Sequence, residues 1–461
     1  MADRQRINSI AVLPFTNASG DSNLEYLSDG VTDSLIDRLA QLSDLKVIAR
    51  SSSFKYKGKE VDTPEVGRTL GVQALVIGKV VLRGDSLVVS AELVNASDRT
   101  QLWGEQYTRK AGDLQSVQEE IARTISERLR VHLSGEQEQR LAKHATENAQ
   151  AFEFYLNGLF SLRKGRPNDL KTALDYFNRA VALDDNFAPA WAGVAQAHSI
   201  FGGNSLLNPK DELAKSKAAA LKALELDDTL AEAHFWLARV KQDEWDWAGA
   251  EREYKRAIEL NPNLADAHRR YAGFLAVMQR HEEALAENEY AQKLDPLQIA
   301  LRRQRAWLKC LGRRYDEALE EILQVNKTDS ATPASHRMLG FIYEAKGMFE
   351  PAIEQQKIAN SMDGETTGGN CYLGYALAGA GRRKEALSIV DRLKSTKDYV
   401  SPTEFAGVYA MLKDNEAAIA LLQRAYQEHD LQLQILNIAT EFDGLRSDPR
   451  FQDLVRRVGL P

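Results

Sequence analysis

Two hydrophobic patterns divide the chain. Over about the first 133 residues, apolar runs are short, rich in β-branched side chains and separated by turn residues. Ser9–Pro14 (SIAVLP) has the composition of a short buried strand, and Leu45–Ala49 (LKVIA) of a second. Tyr26–Gln41 places Leu27, Val31, Leu35 and Leu39 near one face of a helix. Thr63–Leu70 begins with Pro64 in its first turn and stops before Gly71, which suits a short helix. Three more strands are expected at Ala74–Arg83, Ser86–Asn95 and Thr100–Arg109, the first two joined by the tight pair Gly84-Asp85. Asp113–Leu133 then aligns Leu114, Val117, Ile121, Ile125 and Leu129 on a helical face. The expected order β-α-β-α-β-β-β-α describes an α/β domain with a single sheet and packed helices.

Beyond about residue 140 the period lengthens to 3.6, and a second period of 34 is laid over it. Ala250, Ala284, Ala318, Ala352 and Ala386 recur at that spacing, as do Ala257, Ala291, Val325, Ala359 and Leu393. In the preceding half-repeat, Ala238, Ala272, Ala306, Gly340 and Gly374 keep the same interval. Small side chains there allow two helices to touch, and neighbouring large ones fill the remaining space. This resembles the tetratricopeptide repeat, whose units cannot bury their apolar faces alone and stack into an all-α solenoid. The expected division is an α/β domain over 8–133, a linker helix over 134–150, about eight repeats over 151–430 and a C-terminal cap helix over 431–461 with Pro449 at its start. Contacts in such an array run between neighbours, so residues 145–461 are expected to fold alone.

The runs IAVLPFTNASGD, EYLSDGVTDSLIDRLAQL, VIARSSSFKYKGK, GVQALVIGKVVLRGDSLVVSAELV and QLWGEQYTRK resemble the bacterial TolB-amino-terminal-like domain, related to the FlgO type, over about residues 8–133. In bacteria that domain commonly precedes tetratricopeptide repeats. The resemblance implies the C-terminal end of a receptor whose other end is a serine/threonine kinase, an adenylate or other nucleotide cyclase, or a winged-helix regulator, with a membrane tether upstream. No motif of those three effector domains occurs here, so their activities are not carried over.

Composition narrows the function. The 461 residues carry a net charge of −7, which disfavours nucleic acid as a partner. Two cysteines are too few for a disulfide framework or a zinc site, and they single out neither the cytoplasm nor the periplasm. No apolar stretch approaches the ~20 residues of a spanning helix, and MADRQRINSI has no signal-peptide core. Phosphate-loop, zinc-protease, kinase and nucleophile-elbow patterns are missing, so no catalytic residue, metal ligand or cofactor is expected. His234, His268 and His336 share the fourth position of their repeats and are expected to fill inter-helix space. Arg83-Gly84-Asp85 reads as a hairpin turn, Asn17–Asp21 as a polar turn with capping, and Lys55–Lys59 (KYKGK) as a solvated basic loop. The sequons at Asn17, Asn95 and Asn326 are expected to be incidental.

The face of the first helix in each repeat is the candidate binding surface. Its fifth position holds Phe235, Arg269, Arg303, Arg337 and Cys371, and its ninth Arg239, Gly273, Trp307, Phe341 and Tyr375. An arginine ladder beside aromatic rings suits a protein or peptide with acidic residues or a free C-terminal carboxylate, because guanidinium pairs bidentately with carboxylate. The competing expectation is that these arginines pair with acids on adjacent helices, such as Glu232 and Asp266. The function expected is a non-enzymatic interaction scaffold, or the regulatory segment of a signalling receptor.

Overall fold

A computed structural model of the chain describes residues 7–129, 131, 135–141, 143, 145–203, 209–328 and 332–461. These form two compact units. The first comprises Met1–Gln242, Ala248–His268 and Tyr290–Gln298, and the second Asp243–Trp247, Arg269–Glu289 and Ile299–Pro461.

The first unit opens with strand β1 (Ser9–Val12), every residue of which is buried. It is followed by β2 (Thr16–Asn17), α1 (Glu25–Ala40), β3 (Lys46–Val47), α2 (Arg50–Ser53) and α3 (Thr63–Leu70). Three ten-residue strands come next, β4 (Ala74–Arg83), β5 (Ser86–Asn95) and β6 (Gln101–Lys110), and then α4 (Leu114–Leu129). The sheet runs β3-β1-β4-β5-β6, with β2 also paired to β4. β1 lies parallel to β3 and β4, while β4, β5 and β6 form an antiparallel meander. The β4–β5 turn is the two-residue type expected, with Gly84 at φ +59. The sequence pattern gave no sign of β2 or α2. β2 is two residues long, too short for alternation to register; Thr16 and Asn17 pair with Lys79 and Val80, and the polar turn expected at Asn17–Asp21 follows, with the Ser19 amide donating to Asn17 and the Asn23 amide to Asp21.

Of the linker helix expected over 134–150, Ser134, Ala142 and His144 lie outside the described residues. Gly135–Leu141 is helical (α5), and Asn148 already caps the next helix by accepting from the Gln150 and Ala151 amides. Among the described residues, eight helical hairpins follow. They are α6 (Ala149–Leu162) with α7 (Pro167–Leu183), α8 (Ala188–Gly203) with α9 (Pro209–Leu226), α10 (Ala231–Asp243) with α11 (Trp247–Leu260), and α12 (Ala265–Val277) with α13 (His281–Leu294). The last four are α14 (Ile299–Leu311) with α15 (Tyr315–Thr328), α16 (Pro333–Ala345) with α17 (Phe349–Asp363), α18 (Thr367–Gly379) with α19 (Arg383–Ser395), and α20 (Pro402–Met411) with α21 (Asn415–Glu428). Ala250, Ala257, Ala284, Ala291, Ala318 and Ala359 are all fully buried, as helix contact through small side chains requires. The hairpin turns share a second signature. Trp245, Gln279, Arg313, Gly347 and Gly381, each 34 residues after the last, all have positive φ.

The α/β domain and the first hairpin share one core. Ile10, Val12, Leu35 and Ile121 belong to the same apolar cluster as Phe152, Leu156, Ala180 and Phe187. Gly30 on α1 makes this possible, since a Cβ there would come within 2.9 Å of the Leu156 methyl groups.

In the second unit the segment expected as a cap helix is helical only at α22 (Pro449–Val458), after two short 3-10 turns at Leu431–Ile435 and Thr440–Leu445. It does more than shield the last hairpin. The His429 ring stacks on Trp245 at 3.9 Å, Trp247 Nε1 donates to the Val458 carbonyl at 2.8 Å, and Gln279 Nε2 donates to the Pro461 carbonyl at 3.1 Å. The turns before α11, α13 and α15 therefore hold the C-terminal segment, the last through Arg313 and Asp443 at 3.8 Å.

Candidate protein-interaction site

The residues proposed for the binding face differ in availability. Phe235 is buried, its ring edge-on to Trp236 at 4.6 Å, and Tyr375 is buried with its hydroxyl donating to the Glu404 carbonyl at 2.6 Å. Both are packing residues, which corrects the expectation for these two positions. The Arg337 guanidinium grips Asp363 with two parallel bonds of 2.9 and 3.0 Å and also reaches Asn360. Asp363 ends the second helix of the same repeat, so the acid that meets this arginine is not one of the second-position carboxylates considered above. Arg239, Arg269, Arg303, Trp307 and Phe341 are half-buried. Arg303 donates to the Thr332 hydroxyl at 3.3 Å, and burial presses its proton affinity below the usual arginine range.

The three repeated histidines do fill inter-helix space. His234 Nδ1 meets Glu253 at 2.7 Å and His336 Nδ1 meets Gln355 at 2.7 Å, each partner being 19 residues on, while His268 Nε2 meets the Pro262 carbonyl at 2.9 Å. Both cysteines are buried and unoxidised, and burial pushes the Cys310 thiol up to about 12. Among the described residues, no group of three or more His, Cys, Asp or Glu is placed to hold a metal ion.

The interface the sequence did not show lies in the first unit, between the α/β domain and the loops that join one repeat to the next. Asn263, 6% exposed, accepts from the Val47 amide at 3.0 Å and donates to the Ala40 and Leu45 carbonyls at 2.9 Å. It thereby pairs backbone groups at the end of α1 and in β3. One repeat later, Asp295 accepts from the Ser51 and Ser52 hydroxyls, and the Ala49 amide donates to the Leu294 carbonyl at 2.8 Å. One repeat earlier, Asp227 holds Lys143 at 2.7 Å. Asp227, Asn261 and Asp295 lie one repeat period apart, but the Asn261 side chain accepts from the Asn263 amide within its own loop, and it is Asn263 and Asp295 that reach the α/β domain.

A row of acids on α1 makes a separate contact, with the first hairpin. Glu25, Asp29 and Asp33 are four residues apart and share a face. Lys57 bridges Glu25 at 2.9 Å and Asp29 at 2.6 Å; Arg50 binds Asp33 at 2.6 Å, and Arg163 on the turn after α6 takes the other Asp33 oxygen. Asp33 is 2% exposed. Burial works against the Lys57 ammonium, but its hydrogen bonds to Asp29 and Glu25 outweigh it and raise its proton affinity. Burial presses Arg50 and Arg163 downward, yet a guanidinium stays charged well above neutrality. Lys57 is therefore an anchored cation, which corrects the reading of Lys55–Lys59 as a merely solvated loop.

Comparison with known proteins adds to this. Helical hairpins repeating every 34 residues have the architecture of tetratricopeptide repeats. Residues 5–124 match the family described as HilA/YgeH-like transcriptional regulator, second domain. The match covers most of the stretch that resembles the TolB-like domain. A curated relative, the putative adenylate cyclase 3 of Rhizobium meliloti (strain 1021), is 34% identical over 235 residues, covering 50% of this chain and 39% of that protein. The chain thus spans about two fifths of the length of the curated relative it matches. Similar solved structures include a tetratricopeptide repeat protein from Parabacteroides merdae ATCC 43184 (12% identity, TM-score 0.44, 59% of this chain and 100% of that one). Yeast Tom70 is another (16% identity, TM-score 0.43, 75% of this chain and 82% of that one).

Proposed function

We propose that this chain is a non-enzymatic protein-interaction scaffold whose repeats hold a peptide or protein partner along their first helices. The observation that carries the reading is the run of eight hairpins whose first helices keep half-buried cationic and aromatic side chains at Arg269, Arg303, Trp307 and Phe341. Such side chains offer contact area at low entropic cost and a bidentate grip on carboxylate. An acidic segment or a free C-terminal carboxylate is the proposed ligand. Arg337, already satisfied by Asp363, plays a structural part in this scheme. The test is a titration of acidic peptides, with free and amidated C-termini, against the wild-type chain and an Arg269→Ala/Arg303→Ala variant. Affinity should fall at least about tenfold in the variant with helicity intact. Equal affinity refutes the site.

A second reading is favoured by the match of residues 5–124 to a regulator domain and by the partial span of the cyclase relative. In it, the scaffold is the regulatory segment of a longer signalling protein. The chain alone should then form no cyclic AMP from ATP, and cyclase activity in the purified chain would overturn both readings.

A further inference from the structure

Strand β6 ends the sheet, and its far side is unoccupied among the described residues. The Ala111 amide donates to the Asp85 carbonyl, which fixes the alternation of the β5–β6 ladder. Pairs Leu87–Arg109, Val89–Tyr107 and Ala91–Glu105 then exchange bonds within the sheet. The amides and carbonyls of Gly104, Gln106, Thr108 and Lys110 point the other way. Among these groups, the Thr108 carbonyl takes a bond at 3.0 Å from the neighbouring Arg109 side chain, itself exposed. Gly104, Glu105, Gln106, Thr108, Arg109 and Lys110 are all exposed. A straight edge of this length is a template for another strand.

The charge pattern selects the occupant. In an antiparallel pairing of β6 with itself, the outward-facing even-numbered residues must exchange the new hydrogen bonds. With Tyr107 on the two-fold axis, Gln106 meets Thr108 of the second copy and Gly104 meets its Lys110. Glu105 then lies opposite Arg109 of the second copy, twice by symmetry, in non-hydrogen-bonded positions where side chains approach most closely. Moving the axis two residues along, a register shift of four that puts Glu105 on it, sets two Glu105 side chains against each other. Arg109 now pairs with Glu120 at 3.2 Å, but both are well exposed, and such a pair is exchanged at little cost.

We propose that β6 is a self-association edge, through which two copies of this chain join their sheets antiparallel about Tyr107. The test uses the full chain in sedimentation equilibrium over a range of concentrations, with far-UV circular dichroism and melting as checks on folding. The wild type should dimerise. Thr108→Pro removes an amide hydrogen that the fold does not use, so it should give a folded monomer. Glu105→Arg and Arg109→Glu should each weaken the dimer by about tenfold or more, and their combination in one chain should restore it. A monomeric wild type overturns the proposal. So does a dimer that survives Thr108→Pro, or a double charge swap that recovers nothing.

Discussion

Asn263→Leu should loosen the α/β domain from the repeats. The asparagine amide sits 6% exposed and replaces solvent for three backbone groups of a segment more than 200 residues earlier. Leucine keeps the branched heavy-atom shape and is bulkier, so no cavity opens, but the Val47 amide and the Ala40 and Leu45 carbonyls lose their partner. A buried backbone group left unpaired costs about 1–3 kcal/mol. Three of them give roughly 3–9 kcal/mol, with partial relaxation favouring the lower half of that range. Asn263→Asp discriminates further: it retains the acceptor for Val47 but sets an anion against the Ala40 and Leu45 carbonyls, and should cost at least as much. The assay is urea unfolding combined with amide hydrogen exchange at Val47, since that amide should lose its protection first. A loss under about 1 kcal/mol with Val47 still protected would refute the claim that Asn263 acts as a clamp.

Two pH predictions follow from single carboxylates. Glu253 is held down to about 2, chiefly by its hydrogen bond with His234, against the opposing pull of burial and with further help from Lys241. Its contribution is present above an unfolded value near 4.5 and is lost as pH falls toward about 2; equilibrium unfolding should show a drop of roughly 1–3 kcal/mol over that window, solvent screening trimming the full linkage value, and the drop should be flattened in Glu253→Gln. Glu441 behaves oppositely, because burial pushes it up to about 7. Folded protein then binds the proton more tightly than unfolded, stability falls as pH rises from about 4.5 through about 7, and Glu441→Gln should be the more stable protein at pH 8 but not at pH 4.

The fold was legible where the physical signal is periodic. Thr63–Leu70, Ala74–Arg83 and Ser86–Asn95 have the bounds read from the sequence, because Pro64, Gly71 and the Gly84-Asp85 turn punctuate the chain sharply. The repeats were legible because close helix contact demands a small residue every 34 positions. β2 was not, since two residues carry no period. The binding face was legible only as positions. Counting along a helix assigns Phe235, Arg337 and Tyr375 to a face, but neither Trp236 beside Phe235 nor the Asp363 that takes up Arg337 can be inferred that way. The 34-residue recurrence of polar side chains at Asp227, Asn261 and Asp295 passes two residues before the clamp at Asn263, whose own equivalents in the neighbouring loops are Thr229 and Leu297. That recurrence reads equally well as ordinary loop chemistry until the other surface is known. The acids on α1 were visible at their four-residue spacing, but their partners Arg50 and Arg163 come from separate loops.

The expectation that residues 145–461 fold alone treats the array as a solenoid with nearest-neighbour contacts, and in the first unit that premise does not hold. Cutting at residue 145 would expose Phe152, Leu156 and Phe187, which belong to the sheet's own core, and would strip Asn263 and Asp295 of their partners. The apolar loss alone, at about 1.5–3 kcal/mol for each large side chain uncovered, is comparable with the whole stability of a typical domain. The charges act in the same direction. Moving α1 away from α6 separates Asp33 from Arg163, and breaking a buried pair costs about 3–5 kcal/mol, because a charge is left without its partner. Gly30 lets the two helices approach closely enough for that pair to form, and the pair in turn resists their separation.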